Sequence, residues 1–301
     1  MELRDIEIFL TLAEELHFGR TADRLHVSQA RVSQAIKMQE RRIGGVLFER
    51  TSRAVTLTPL GEQLRDDLRT GYDAIRKGLA RATESTRGMT GTVRLGVMGI
   101  VGHEIRGVIE KFTADHPGCD VALREIVFSD PFSGLRSGDL DLILVWRPVR
   151  EPDLTEGPTL LTEGRLMGVW TGHELASLPS VSMEDFAGRA VVHCPQPGLE
   201  YWIESMAPRF TPGGQAIPRG PAVTTFHEVL TEVAAGRGIT PMNEHGLHYF
   251  SHPGVVWVPL HDAPITEWAL AWRSDDLNRR ARAFVDVAEL SGPRAYEAPR
   301  G

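Results

Sequence analysis

Apolar residues recur at helical spacing from the first turns of the chain. Ile6, Phe9, Leu10, Ala13 and Leu16 share one face, which predicts a helix over residues 3–16. His17-Phe18-Gly19 breaks that period. Residues 20–25 predict a second, short helix that buries Ala22 and Leu25, and His26-Val27 a tight turn. Ser28 is placed to cap a third helix in which Val32, Ile36, Ile43 and Leu47 point inward. Gln29, Arg31, Ser33 and Lys37 are left on its outer side. Residues 48–58 then alternate Val and Thr around Arg50 and Arg53, which predicts a two-stranded wing.

From Thr58-Pro59 a longer helical period begins. Leu60, Leu64, Leu68, Ile75 and Leu79 make one apolar stripe over residues 59–87, a rod of roughly 40–45 Å at the usual helical rise. A lone stripe on so long a helix needs a partner, either a second copy or the chain's own downstream domain. Residues 87–91 (RGMTG) read as a hinge. Beyond them strands and helices alternate: strands at 92–97, 120–127 and 140–146, with helices through Phe112 and at 131–137. A second series holds strands at 165–170, 190–193 and 255–259 and a helix at 225–235. A strand at 267–272 and a helix at 277–290 close the chain. The overall class is α/β, with parallel strands expected. The chain crosses between the two series near 162–165 and 264–268, as in a hinged two-lobed clamp that holds a ligand between its lobes.

Charge changes this picture only when it is localised. The 301 residues carry a formal charge of -7, which by itself speaks against nucleic acid. Residues 17–58, however, hold 8 basic side chains against 3 acidic ones. A helix whose N-terminal residues include Gln, Arg and Ser suits the major groove, where Gln pairs with adenine and Arg with guanine. Arginines of a wing reach phosphates or the minor groove. The candidate DNA contacts are Arg20, Thr21, Ser28, Gln29, Ala30, Arg31, Ser33, Gln34, Lys37, Arg50 and Arg53.

The residues Phe9, Phe18, Ala22, Leu25, Val27-Ser28-Gln29, Ser33, Ile36, Glu40, Gly44, Leu47-Phe48, Arg50, Leu57-Thr58 and Gly61 resemble the winged helix–turn–helix of LysR-type transcriptional regulators. Thr21, Ala30 and Gln39 depart from that pattern, where Ala, Pro and an apolar residue are usual. Arg94-Leu95-Gly96, His116-Pro117, Gly138-Asp139-Leu140-Asp141 and the stretch LTEVAAGRGI at 230–239 are similar to the effector-binding domain of the same family, shaped like a periplasmic solute-binding protein. The resemblance implies a DNA-binding domain at 1–58, a linker helix and hinge at 59–90, and an effector domain at 91–291. Lobe one would hold 91–162 and 268–291, and lobe two 163–267. The tail, 292–301, is expected to be disordered. The resemblance also implies dimers paired through the linker helix, assembled as a tetramer, on an interrupted palindrome of double-stranded DNA. RNA polymerase is a further candidate partner.

A cleft ligand would meet strand ends of both lobes. The candidates are Gly99, Ile100, Val101, Gly102, Phe128, Ser129 and Arg147 from lobe one, and His193, Gln196, Pro197, Tyr201, Trp202, Thr225, Phe226 and His227 from lobe two. Arg147 closes an apolar strand and needs an acid, either a ligand carboxylate or a local side chain such as Glu151 or Asp153. With Ile100, Phe128, Tyr201, Trp202 and Phe226 as a wall, or as core, the expected effector is a hydrophobic or aromatic carboxylate. No cofactor or metal is expected. His245, His248 and His252 lack converging spacing, Cys119 and Cys194 form no framework, and the glycines at 96, 99 and 102 are no dinucleotide fingerprint. The absence of a G-x-S-x-G motif speaks against an enzyme. With neither a signal peptide nor a membrane-length apolar run in the sequence, a cytoplasmic location is expected. The rivals are a constitutive DNA binder and a solute-binding or enzymatic use of the clamp.

Overall fold

The computed structural model describes residues 2–50, 55–87 and 89–297. It falls into two compact units, residues 1–87 and 88–301.

In the first unit, α1 (Leu3–Glu15), α2 (Phe18–Leu25) and α3 (Gln29–Ile43) are followed by the hairpin β1 (Phe48–Arg50) and β2 (Val55–Leu57), then by α4 (Pro59–Arg87). Polar caps set the corners. His17 Nδ1 accepts from the backbone N–H groups of Gly19 and Arg20 at 3.1 and 3.2 Å, and Ser28 Oγ from Arg31 N at 3.2 Å. Ile8, Phe9, Leu12, Val32, Ala35, Ile36 and Leu47 are fully buried, and the Phe9 and Phe48 rings meet edge-on at 5.6 Å. Ile43, expected inside, is 38% exposed. Gly44 takes a left-handed φ of 78° and turns the chain, so that Leu47 and Phe48 enter the core instead.

The stripe on α4 is divided. Leu64 and Leu68 pack on the core of their own unit, where Tyr72 is also buried. They are half-buried there, where α4 packs on α1. Leu60, Ile75 and Leu79 are 39, 48 and 59% exposed. The start of α4 is fixed by Thr58, whose hydroxyl donates to Val46 O at 2.8 Å and accepts from Gly61 N at 3.0 Å. A Cβ on Gly61 would lie 2.2 Å from the Leu47 carbonyl oxygen. Gly61→Ala is expected to destabilise this unit by about 2–3 kcal/mol, at the upper end for overpacking since backbone must give. A lowered melting transition with intact ligand response checks it.

The second unit holds a six-stranded sheet in the order β13-β6-β12-β5-β3-β4. Its strands are β3 (Gly91–Met98), β4 (Cys119–Ile126), β5 (Leu142–Trp146), β6 (Leu154–Glu163), β12 (Thr266–Arg273) and β13 (Arg294–Ala295). The helices α5 (Arg106–Asp115), α6 (Ser133–Ser137) and α9 (Arg279–Ser291) accompany it, with Phe112 and Phe284 in edge contact at 5.3 Å. β3, β4 and β5 form the expected parallel group, and β13 joins β6 in parallel at the far edge. β12 runs antiparallel to both β5 and β6, since it returns from the other lobe and needs no crossover helix.

The second lobe has the antiparallel sheet β10-β7-β11 and the parallel pair β8-β9. These are β7 (Arg165–Trp170), β8 (Val191–His193), β9 (Arg219–Ala222), β10 (Thr240–Asn243) and β11 (Val255–Leu260), with helices α7 (Glu200–Met206) and α8 (Phe226–Ala234). The sheets are joined at Gly164, between β6 and β7, and by the chain from β11 to β12.

The tail is not disordered at its start. Arg294 and Ala295 pair with Leu161 and Thr162 of β6, and Tyr296 N donates to Thr162 O at 2.7 Å. The free edge of β6 supplies the unsatisfied backbone groups that this strand takes up.

Candidate functional site

The exposed face of α3 presents Gln29, Ala30, Gln34 and Lys37, with Ser33 half-buried and Ser28 exposed at its N-terminus. Lys37, Arg41 and Arg42 are exposed and make no ion pair among the described residues. Two nominated contacts are otherwise engaged. Arg31 Nη2 pairs with Asp5 at 3.0 Å, and Asp5 is 7% exposed. Arg20 pairs with Glu15 at 3.2 Å. Thr21 is corrected: it is fully buried on the inward face of α2 and donates its hydroxyl to His17 O at 2.9 Å. Gln39 fills the apolar position by making a polar bond there, Nε2 to Asp5 O at 2.8 Å, which ties α3 to α1. Arg53 lies outside the described residues, as do the side chains of Arg50 and His248.

Between the lobes of the second unit lies a cavity of about 480 Å³. Lobe one contributes Met98 and Gly99 at the end of β3, Glu125, Ile126, Val127 and Phe128 at the end of β4, and Trp146 and Trp268 from β5 and β12. Lobe two contributes Val192, His193 and Cys194, then Thr225, Phe226 and His227, then Thr240 to Asn243, His245 and Phe250. Thr225 is there because it caps α8, accepting from Glu228 N at 3.3 Å, so the first turn of that helix faces the cleft. Phe226 and Phe250 pack at 4.3 Å between centroids.

Gly99, Phe128, His193, Thr225, Phe226 and His227 are thus brought together. The other nominees are not. Val101 and Gly102 are buried in a short 3-10 turn, and Ile100 and Ser129 are half-buried outside the lining. Arg147 is held by Glu156 and by Glu267 at 3.2 Å, away from the cavity. The acids named for it, Glu151 and Asp153, instead hold Arg136. Pro197 lines a neighbouring, smaller cavity. Tyr201 donates its hydroxyl to Glu151 at 2.9 Å. Trp202 is fully buried, stacked on Trp146 with centroids 4.0 Å apart and planes 5° from parallel. Its indole N–H donates to Trp146 O at 3.0 Å, and Trp146 meets Trp268 edge-on at 5.7 Å. The largest ring of the expected ligand wall, Trp202, is core here, where the burial gain is greatest.

His245, which the sequence offers only as a histidine among three, takes a central place. Glu163, the last residue of β6, is buried and accepts from His245 N at 2.7 Å, from Trp268 Nε1, and faces His245 Nδ1 at 2.8 Å. The carboxylate accepts from all three when the imidazole proton sits on Nδ1. Beside it, Arg165 donates to Thr266 Oγ1 and Ser205 O, each at 2.8 Å, and Thr266 Oγ1 donates to Asn243 Oδ1 at 2.8 Å. Burial pushes the Arg165 guanidinium down to about 10, against the pull of Glu163. Both chain crossings therefore join, through hydrogen bonds, the wall that carries Asn243 and His245. No group of metal-ligating side chains occurs among the described residues. No helix among them is long and apolar enough to cross a membrane.

Residues 3–62 match the bacterial regulatory helix-turn-helix proteins of the lysR family, and residues 86–290 match the LysR substrate binding domain. The chain belongs to the LysR family. This LysR-type regulator is 28% identical to the transcriptional regulator AlsR of Bacillus subtilis (strain 168), over the full length of both chains. It is 30% identical to the hydrogen peroxide-inducible genes activator of Escherichia coli O6:H1, covering 80% of this chain and 78% of that one. Its fold is that of full-length CbnR solved with its target DNA, at a TM-score of 0.65 and 18% identity, covering 97% of this chain and 100% of that one. The chain is accordingly a DNA-binding transcription regulator with a substrate-binding domain, and the interlobe cavity lies in that domain.

Proposed function

We propose that this regulator is gated by an uncharged, largely apolar small molecule held in the interlobe cavity. The observation that carries the reading is the Glu163–His245 pair with the Arg165–Thr266–Asn243 chain, which joins the cavity wall to both crossings. A ligand that bonds Asn243 or His245 sets the two lobes relative to one another. The expected carboxylate finds no Lys or Arg in the described lining, so a hydroxyl or amide on an aromatic body fits better than an acid. A peroxide-sensing thiol, suggested by the inducible relative, fits less well, because burial pushes the Cys194 thiol up and the thiolate is the reactive form. Full-length protein titrated with benzyl alcohol, benzamide and benzoate tests this by thermal shift. Saturable stabilisation by a neutral member, lost in His245→Phe, supports it. A response to benzoate alone, or none, overturns it.

For DNA, the exposed face of α3 reads a two-fold interrupted palindrome, and the exposed Ile75 and Leu79 of α4 join two copies. CbnR was solved on its target DNA, which supports this docking. Lys37→Met is expected to weaken all sequences alike and to reduce the salt slope by about one, whereas Gln29→Ala relaxes preference at one base pair. Fluorescence anisotropy on promoter fragments across a salt series checks both. A regulator so gated would be cytoplasmic, as its task requires, and would act beside RNA polymerase.

A further inference from the structure

A second, smaller cavity of about 290 Å³ adjoins the interlobe one. His193, Cys194 and Ile203 are walls of both. Beyond that shared wall the smaller cavity is bounded by Gln196, Glu200, Glu204, Arg209 and Arg219.

Its polar side chains are unusually poorly satisfied. Gln196 is 6% exposed, yet neither Oε1 nor Nε2 meets a nitrogen or oxygen partner; the Cys194 thiol is its polar neighbour. Nη1 of Arg219 and Nδ1 of His193 are likewise buried without a hydrogen bond. Arg209 is occupied by Glu204, whereas Arg219 makes no ion pair among the described residues. Buried polar groups are normally paired, and each that is not costs free energy until something fills the site. Arg219 Nη1, His193 Nδ1 and the Gln196 amide atom not engaged by the thiol, three buried polar groups around one cavity, point to an occupant.

The donors define its chemistry. A guanidinium offers a planar fork that matches a carboxylate, and a primary amide adds one donor and one acceptor beside it. Glu200 and Glu204 in the same lining disfavour a second negative charge. The volume admits a molecule of a few heavy atoms, several times the roughly 30 Å³ share of one water. We propose that this cavity is a second small-molecule site, distinct from the interlobe cavity, which takes a small monocarboxylate with its acid group on Arg219 and Gln196. The site stands independently of what the larger cavity holds.

Calorimetric titration of the full-length protein at constant ionic strength tests it, with propionate, butyrate and lactate as probes. Propionamide and butyramide serve as neutral isosteres, and succinate as a dianion. At least one monocarboxylate is expected to bind saturably, in preference to its amide and to succinate. Arg219→Met and Gln196→Leu should each weaken it about tenfold or more, the factor carried by one charge-assisted hydrogen bond. Arg219→Lys should recover part of the loss, and His245→Phe, in the larger cavity, should leave the affinity unchanged. Should Arg219→Met fail to fold, Gln196→Leu and Arg219→Lys still decide. Equal binding of acid and amide, binding of none of the monocarboxylates, or binding that survives Arg219→Met and falls with His245→Phe would each overturn the proposal.

Discussion

Glu163→Gln is expected to lower the stability of the second unit by about 3 kcal/mol, the upper end for leaving a buried donor without its acceptor. The wild-type carboxylate has no solvent-exposed side-chain surface and faces three donors: the backbone N–H of His245, its Nδ1, and the Trp268 indole. Glutamine keeps one acceptor oxygen and turns an NH₂ group toward the others, so at least one buried donor faces another donor. Each such mismatch costs about 1–3 kcal/mol. Urea unfolding followed by tryptophan fluorescence reads the loss, and DNA affinity at low denaturant verifies that the first unit is intact. A change of less than about 1 kcal/mol, within the range of a neutral hydrogen bond, would mean that an amide serves these three groups as well as the carboxylate does. Binding of a neutral aromatic in the interlobe cavity should weaken in parallel, because His245 loses the partner that fixes its ring.

Trp202→Ala should cost about 3–5 kcal/mol, as for other fully buried tryptophans cut to alanine. The side chain is stacked on Trp146, donates to its carbonyl oxygen, and sits in the core of the six-stranded lobe although α7 comes from the other half of the chain. Removing it leaves a large void beneath Trp146 and Trp268, both of which line the interlobe cavity. The stacked pair should give a near-ultraviolet circular dichroism band that vanishes in Trp202→Ala and returns in part in Trp202→Phe. A melting transition unchanged by the alanine variant would show that α7 is not what clasps the lobe.

The helices of the first unit were legible because each has a cap and an apolar face of its own. Ser28 and the positions of Val32 and Ile36 fix α3 without reference to anything distant. Thr21 was misread because its neighbour Arg20 is exposed and α2 is short, so one residue of phase separates surface from core. In the second unit, alternation of strands and helices revealed the class, and the strand ends near residues 99 and 128 with the helix start at 225 led to the cavity. What stayed hidden depends on pairs remote in sequence. Arg147 meets Glu267, 120 residues away, and His245 meets Glu163, 82 residues away. Neither pairing leaves a periodicity, and β6, interrupted by Gly157 and Pro158, reads more as loop than strand.

The short strand at Arg294 and Ala295 matters beyond the two residues that it orders. It occupies the outer side of β6, which would otherwise offer a row of open amides and carbonyls to any extended chain nearby. A chain shortened before Arg294 would carry an adhesive margin along its largest sheet. Self-association of such a truncated protein would then reflect lost edge protection, not the pairing of subunits through α4.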